Sequence, residues 1–230
     1  MTVQDTAGEK GSLSCEEQRL TADREMKVPA GTGRSVYTDR RSEFIGLAVR
    51  INSEEEAAAI IESVRKEHPG ARHVCYAYRL AGGGVRRYSD DGEPQGSAGR
   101  PILEVLDRNA ADMALIVVTR YFGGILLGTG GLVRAYSSAA SAALEDAGLV
   151  TLIPFSTLRA VFEYADWSRA EQPLRRCGAV VRRAEYGSGV TVCLSVPEAG
   201  TERVSALITE MTAGRSRAEI TGWELLPRQP

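Results

Sequence analysis

The feature that most constrains this chain is a set of five glycines within nine residues, Gly123, Gly124, Gly128, Gly130 and Gly131. Before it, Leu115-Ile116-Val117-Val118 is a short apolar run rich in β-branched residues, which predicts a strand covered on both faces. After it, an alanine-rich segment from about Gly130 to Ala147 puts Leu132, Ala135, Tyr136, Ala139, Ala143 and Leu144 on one helical face, with Gly148 as a C-terminal cap. Small residues on that face let a helix lie close to a sheet. Each glycine costs ordering entropy, and packing accounts for Gly130 and Gly131 but not for all five. The loop reads as a place where the backbone has to stay bare.

Two phosphate-binding signatures fail here. Gly123 and Gly128 have Walker spacing, but Thr129-Gly130 follows where Lys and Ser or Thr are needed. Gly128-x-Gly130-x-x-Val133 lacks the third glycine of a dinucleotide fingerprint. The shared physics survives: bare backbone entering a helix N-terminus points amides at an anion, and the helix dipole adds to the attraction. Arg120 and Arg134 flank the loop and Thr129 adds a hydroxyl. Arg120, Gly123, Gly124, Gly128, Thr129, Gly130, Gly131 and Arg134 are therefore the candidate anion site. The competing reading is tight turns and close packing, with Arg134 on a solvated face.

Upstream, Asp90, Asp91 and Glu93 form an acidic loop ahead of a short helix expected near Gly99 and Pro101. Such carboxylates can hold a hard cation, pair with Arg86, Arg87, Arg100 or Arg120, or cap the helix near Ser97. Pairing and capping is the expectation for at least one of them. No second cluster supports a metal, and no cofactor is expected. His73 and Cys75 alternate with Val74 and share one face of a strand. Two residues apart on a strand rarely reach nucleophile–base geometry; for His73 a hydrogen bond to the acidic loop is the conservative reading, and a role at the site edge is the second. His68 reads as a helix-terminal surface residue. Neither GxSxG nor HExxH occurs.

Composition narrows the class. At 230 residues, 43% hydrophobic and 25% charged, the chain suits two small soluble domains. A net charge of −2 excludes a global field drawing it to nucleic acid or anionic membrane, while local patches remain allowed. Cys15, Cys75, Cys177 and Cys193 show no CxxC and no metal spacing. No apolar run approaches the ~20 residues of a membrane span. A cytoplasmic, reduced protein with no membrane partner is expected.

Residues 1–25 read as a flexible polar arm. Residues 26–152 follow as one domain. It has strands in SVYTDR and EFIGLAVRI, a helix opened by a Ser53/Glu56 capping box and stopped at His68-Pro69-Gly70, and a hairpin turning at Gly82-Gly83-Gly84. The central stretch comes next. Pro154 marks a boundary, and residues 155–226 alternate strand, helix, strand, strand, helix, strand, the ferredoxin-like order. Pro173 disturbs the first of those helices, and the last four residues, Arg228 among them, read as a tail. Arg175, Arg176, Arg182, Arg183, Arg215 and Arg217 would hold a phosphate backbone if they converged. Residues 182 and 183, however, face opposite sides of a strand.

The wording of the central stretch adds a family. SDDGEPQGSAGRPIL followed by VVTRYFGGILLGTGGLVRAY resembles the signature of the YigZ/IMPACT family, as do Arg41 to Gly46 and Arg72 to Tyr78. Glu43 departs from it, since the family commonly has Arg after that serine. The resemblance covers residues 36–150 strongly. It implies an α+β protein of the bacterial two-domain type. The N-terminal α/β sandwich would be similar to ribosomal-protein domains and to domain IV of elongation factor G, and the ferredoxin-like C-terminal domain to that factor's domain V. Eukaryotic relatives are regulators of translation under stress.

The leading expectation is a phosphate- or RNA-contacting binding protein linked to translation, with RNA or the ribosome as partner. The alternative is a small-molecule phosphotransferase or metal-assisted hydrolase, with the acidic loop as metal ligands and the glycine loop as phosphate cradle. A homodimer through an exposed sheet edge is left open.

Overall fold

The computed structural model describes residues 25–80 and 84–228. The expected arm, up to residue 24, and two glycines of the Gly82–Gly84 turn lie outside the described residues. The chain folds as two compact units, Glu25–Leu152 together with the residues from Pro227 on, and Ile153–Leu226.

The N-terminal unit contains β1 (Met26–Pro29), β2 (Gly33–Asp39), β3 (Ser42–Arg50), α1 (Glu54–Glu67), β4 (His73–Arg79), β5 (Arg86–Ser89), α2 (Gly99–Arg108), β6 (Ala114–Tyr121) and α3 (Gly128–Ala147). Its main sheet runs β2-β3-β6-β4-β5 with every neighbour antiparallel. β6 is central, and its side chains alternate between two cores. Ile116 and Val118 meet the residues of α2 and α3, while Leu115 and Val117 meet Ala57, Ile61 and Val64 of α1. Helices on both faces are the reason this strand carries no polar alternation.

α3 lays Ala135, Ala139, Ala143 and Ala147 into the first core. A Cβ at Gly33 or Gly46 would run into the α3 backbone, so the small residues do bring helix and sheet together. α1 starts where its cap predicts: Ser53 Oγ accepts from the Glu56 amide at 3.2 Å. The return bond is displaced by one residue, since Glu56 Oε2 accepts from the Asn52 amide at 2.7 Å.

Two features differ from expectation. β1 was not legible, being four residues long, and it pairs with Leu149–Leu152. That pairing starts β7 (Leu149–Phe162) eight residues before the expected Thr157. Arg228 is not part of a loose tail: its amide donates to the Thr151 carbonyl at 2.9 Å and its guanidinium pairs with Glu25.

The C-terminal unit continues β7 with α4 (Tyr164–Arg176), β8 (Val180–Tyr186), β9 (Val190–Pro197), α5 (Thr201–Met211) and β10 (Glu219–Pro227). The sheet order β10-β7-β9-β8 is that of a ferredoxin-like βαββαβ unit. Its core joins Leu158, Phe162, Trp167, Leu174, Leu194 and Ile208. Pro173 falls in the last turn of α4, which continues to Arg176. Among the described residues, no helix is long and apolar enough to cross a membrane.

Candidate functional site

The acidic loop between β5 and α2 is held by its own carboxylates. Asp90 accepts from the amides of Gly96, Ala98 and Gly99 at 2.8, 3.0 and 2.8 Å. Ala98, at the N-cap of α2, has no side-chain oxygen to offer, so Asp90 satisfies the helix from eight residues upstream. Asp91 takes the Arg65 guanidinium and the Val74 amide, each at 2.7 Å. Glu93 is buried, and its Oε1 accepts from Arg120 at 2.6 Å and from the Tyr136 hydroxyl at 2.9 Å. None of the three is left over for a cation. Among the described residues, no group of three His, Cys, Asp or Glu side chains is placed to hold a metal ion.

His73 joins this loop as expected, with Nδ1 2.7 Å from the Asp91 carbonyl oxygen. A carbonyl only accepts, so Nδ1 carries the hydrogen. The other ring nitrogen lies 4.0 Å from Glu93 Oε1. Cys75 Sγ donates to the Asp90 carbonyl at 3.0 Å and contacts the Tyr136 hydroxyl at 3.4 Å. Burial pushes the Cys75 thiol well above the usual thiol range and does the same to Tyr136. Cys75 is thus a protonated core thiol and makes no nucleophile with His73. His68, the C-cap of α1, meets the Tyr121 hydroxyl at 3.0 Å through Nδ1.

The five glycines have different reasons. Gly123 donates its amide to Ser42 Oγ at 3.2 Å, and a Cβ there would overlap the Arg41 backbone. Gly124 and Gly128 adopt φ of 84° and 71°, which a side chain disfavours. Gly131 sits against Leu127, where a Cβ would come to 3.0 Å. Gly130 departs from the packing expectation, because a Cβ there would meet nothing within 4 Å. α3 begins after Leu127 with no side-chain cap and no acidic residue in its first turn. The amides of that turn have no partner inside the helix.

A second irregularity lies beside this loop. Arg40 and Arg41, the turn between β2 and β3, have φ of 45° and 67°. That is the pattern of a two-residue hairpin turn usually filled by Asn-Gly. Arginine at both positions carries strain of about 1 kcal/mol or more each. Both side chains are exposed, and Arg40 reaches the Leu126 carbonyl at 3.3 Å.

The two flanking arginines end up apart. Arg120 is only 6% exposed, is neutralised by Glu93, and lies 5.5 Å from the ring centroids of both Phe44 and Phe122. Its Nε has no partner. Arg134 does not come to the loop; it is exposed and lines a separate hollow with Tyr37, Asp39 and Glu104. Four of the six arginines grouped in the C-terminal unit are held by carboxylates. Arg175 pairs with Glu171, Arg182 with Glu224, Arg183 with Glu185, and Arg215 with Glu163 and Asp166.

What the fold assembles is a cleft of about 360 Å³ at the start of α3. His73, Glu93 and Arg120 line one side, Gly128 and Thr129 the helix end, and Phe122, Leu126, Leu127 and Leu132 an apolar wall. Arg72, exposed and without a carboxylate partner among the described residues, lines it too. Sequence reasoning missed Arg72 and the apolar wall as site residues. The available signal was the cluster Phe122, Ile125, Leu126 and Leu127, apolar residues inside a glycine loop.

Comparison with known proteins agrees with the two-unit division. Residues 40–144 match the Impact N-terminal domain, and residues 161–215 match a domain of unknown function, DUF1949. The chain is 36% identical over 177 residues to the IMPACT family member YvyE of Bacillus subtilis (strain 168), covering 76% of this chain and 82% of that protein. It is 34% identical over 190 residues to the IMPACT family member YigZ of Escherichia coli (strain K12), covering 81% and 93%. A solved structure described as that of an hypothetical protein is 34% identical with a TM-score of 0.58, covering 85% of this chain and 97% of that one.

Proposed function

The chain belongs to the IMPACT family, and from that premise we propose that it is a cytoplasmic binding protein that grips phosphate groups of RNA in the service of translation. The observation that carries this reading is the bare opening of α3 onto the cleft. A helix end facing solvent is ordinarily stabilised by a cap or a first-turn acid. This one has neither, and Gly130 keeps its surroundings empty where packing makes no demand. Arg72 and the strained Arg40-Arg41 turn put positive charge beside it, which a phosphate needs and a structural helix end does not. Because the net charge is −2, attraction to RNA has to be local. The link to translation draws on what the family resemblance implies, a likeness of the two domain types to the paired terminal domains of elongation factor G. The hydrolase alternative loses its metal ligands, since the acidic loop is committed to α2, Arg65 and Arg120.

The test is association of the full chain with labelled RNA across a salt series. Affinity falls linearly with salt on logarithmic axes, as phosphate contacts require. Gly130→Asp places a carboxylate in the first turn of α3, so it preserves or raises the melting temperature through the dipole while lowering affinity about tenfold or more. Arg134→Ala changes affinity less than about twofold, because its hollow is elsewhere. If Gly130→Asp binds RNA as well as wild type, or the wild type binds at no salt concentration, the reading is wrong.

A further inference from the structure

Resting on the phosphate reading above, we propose a narrower ligand: one unstacked nucleotide of single-stranded RNA, its phosphate at the start of α3 and its base laid on Phe122. The cleft has two poles. One is the amide end of α3 with Thr129; the other is an aromatic and aliphatic wall. That wall is unusually open for apolar side chains, with Phe122 44% and Leu126 81% exposed. Leaving that apolar surface in water is unfavourable, and a flat apolar ligand would offset the cost.

Phe122 is also a rigid platform. The Arg120 guanidinium lies against its ring, and that guanidinium is fixed by Glu93 and by contact with Phe44. Arg120 supplies the independent sign of a missing ligand: it is more than nine-tenths buried, it lines the cleft, and its Nε has no acceptor. A buried donor left unpaired is costly, and it marks this wall of the cleft as a place where the protein leaves a polar demand unmet. An anion pole beside a braced aromatic face matches a phosphate joined to a base. In an A-form duplex the base faces are already stacked on one another and cannot lie on a side chain. A single strand can splay one out, and stacking on an aromatic ring tolerates any base. The exposed Arg40 and Arg41 stand where neighbouring phosphates of the same strand would pass.

The test titrates full-length protein with ten-nucleotide uridine and adenosine strands, with the same strands annealed to complements, and with uridine and adenosine monophosphates. Single strands bind about tenfold or more tighter than either duplexes or monophosphates. Phe122→Ala weakens single-strand binding about tenfold or more and leaves duplex binding within about twofold. Phe122→Trp retains the affinity, and its added emission, over the background of Trp167 and Trp223, is quenched by single strands. Equal affinity for single strands and duplexes, or a monophosphate that binds as tightly as the strand, overturns the proposal. So does Phe122→Ala losing both forms equally or neither. Should Phe122→Ala prove unstable, the folded Trp variant decides, and an unquenched response overturns the proposal. Those failures leave the phosphate reading standing wherever Gly130→Asp still abolishes binding; absence of all RNA binding removes both.

Discussion

Each unit buries a carboxylate against arginine beside a hollow, and the two arrangements are not equivalent. In the N-terminal unit both partners are withdrawn from water: the Glu93 side chain is 3% exposed and that of Arg120 7%. In the C-terminal unit Asp166 is 2% exposed, but its partners Arg169 and Arg215 keep 68% and 52% of their side chains in solvent. The first pair must satisfy all its polar atoms within the protein and fails at Arg120 Nε. The second lets water complete its guanidiniums. Asp166 therefore works as a strut, tying the first turn of α4 to Arg215 beyond α5, and its hollow of about 260 Å³ has no unmet donor. Similar chemistry leaves an unfilled demand in one place and none in the other.

The largest test of that contrast removes each acid in turn. Glu93→Ala strands a buried guanidinium and is expected to cost about 3–5 kcal/mol, read from urea unfolding. Asp166→Asn, whose arginines remain hydrated, is expected to cost clearly less. Comparable losses would mean that exposure of the cation does not separate the two pairs.

The same contrast between demand and surplus runs through the glycine loop. Gly123→Ala overlaps the Arg41 backbone and should destabilise by about 1–3 kcal/mol. Gly130→Ala enters open space and should be neutral or stabilising by up to about 1 kcal/mol. Opposite signs in a pair of melting curves would separate the glycine that packing requires from the one that faces open space. Beside them, replacing Arg40 by Asn and Arg41 by Gly supplies the residues this turn favours. That double variant should gain about 1 kcal/mol of stability and lose RNA affinity, with a shallower salt dependence. A gain in stability without loss of binding would make the turn a strained structural accident.

Much of this was legible in the sequence, and the limits are physical. β6 could be read because a strand buried on both faces leaves an unbroken apolar run, and α3 because alanine at helical spacing has few other uses. A loop with special backbone demands was readable from glycine density, yet the reason for each glycine was not. Gly123 and Gly130 look alike in a string, and only the approach of Arg41 tells them apart. Arg120 and Arg134 were grouped by proximity in sequence, whereas the strand sends Arg120 into the core and the helix carries Arg134 to another face. The Glu93–Arg120–Tyr136 network needs β6, α3 and the acidic loop packed together, which no local pattern encodes. β1 escaped because four residues carry too little periodicity, and its partner lies more than a hundred residues away.

The smallest expected effect concerns pH. The Arg215 guanidinium, with Arg169 behind it, holds the Asp166 carboxyl below the ordinary aspartate range. A depressed folded-state value means that the unfolded chain binds this proton more readily than the native one as the solution is acidified. The contribution of Asp166 is therefore fully present above the ordinary aspartate range and is lost as pH falls through that range and on through the lowered native value. The stability difference between wild type and Asp166→Asn should accordingly be widest at neutral pH and should close on the acid side. High salt should narrow it at neutral pH, since both cations are exposed and screened. A difference that stays constant from neutral to acid pH would show that Asp166 contributes through the shape and hydrogen bonds that asparagine can also supply. In that case the C-terminal pair would not be an electrostatic strut at all, and the contrast with Glu93 and Arg120 would rest on burial alone.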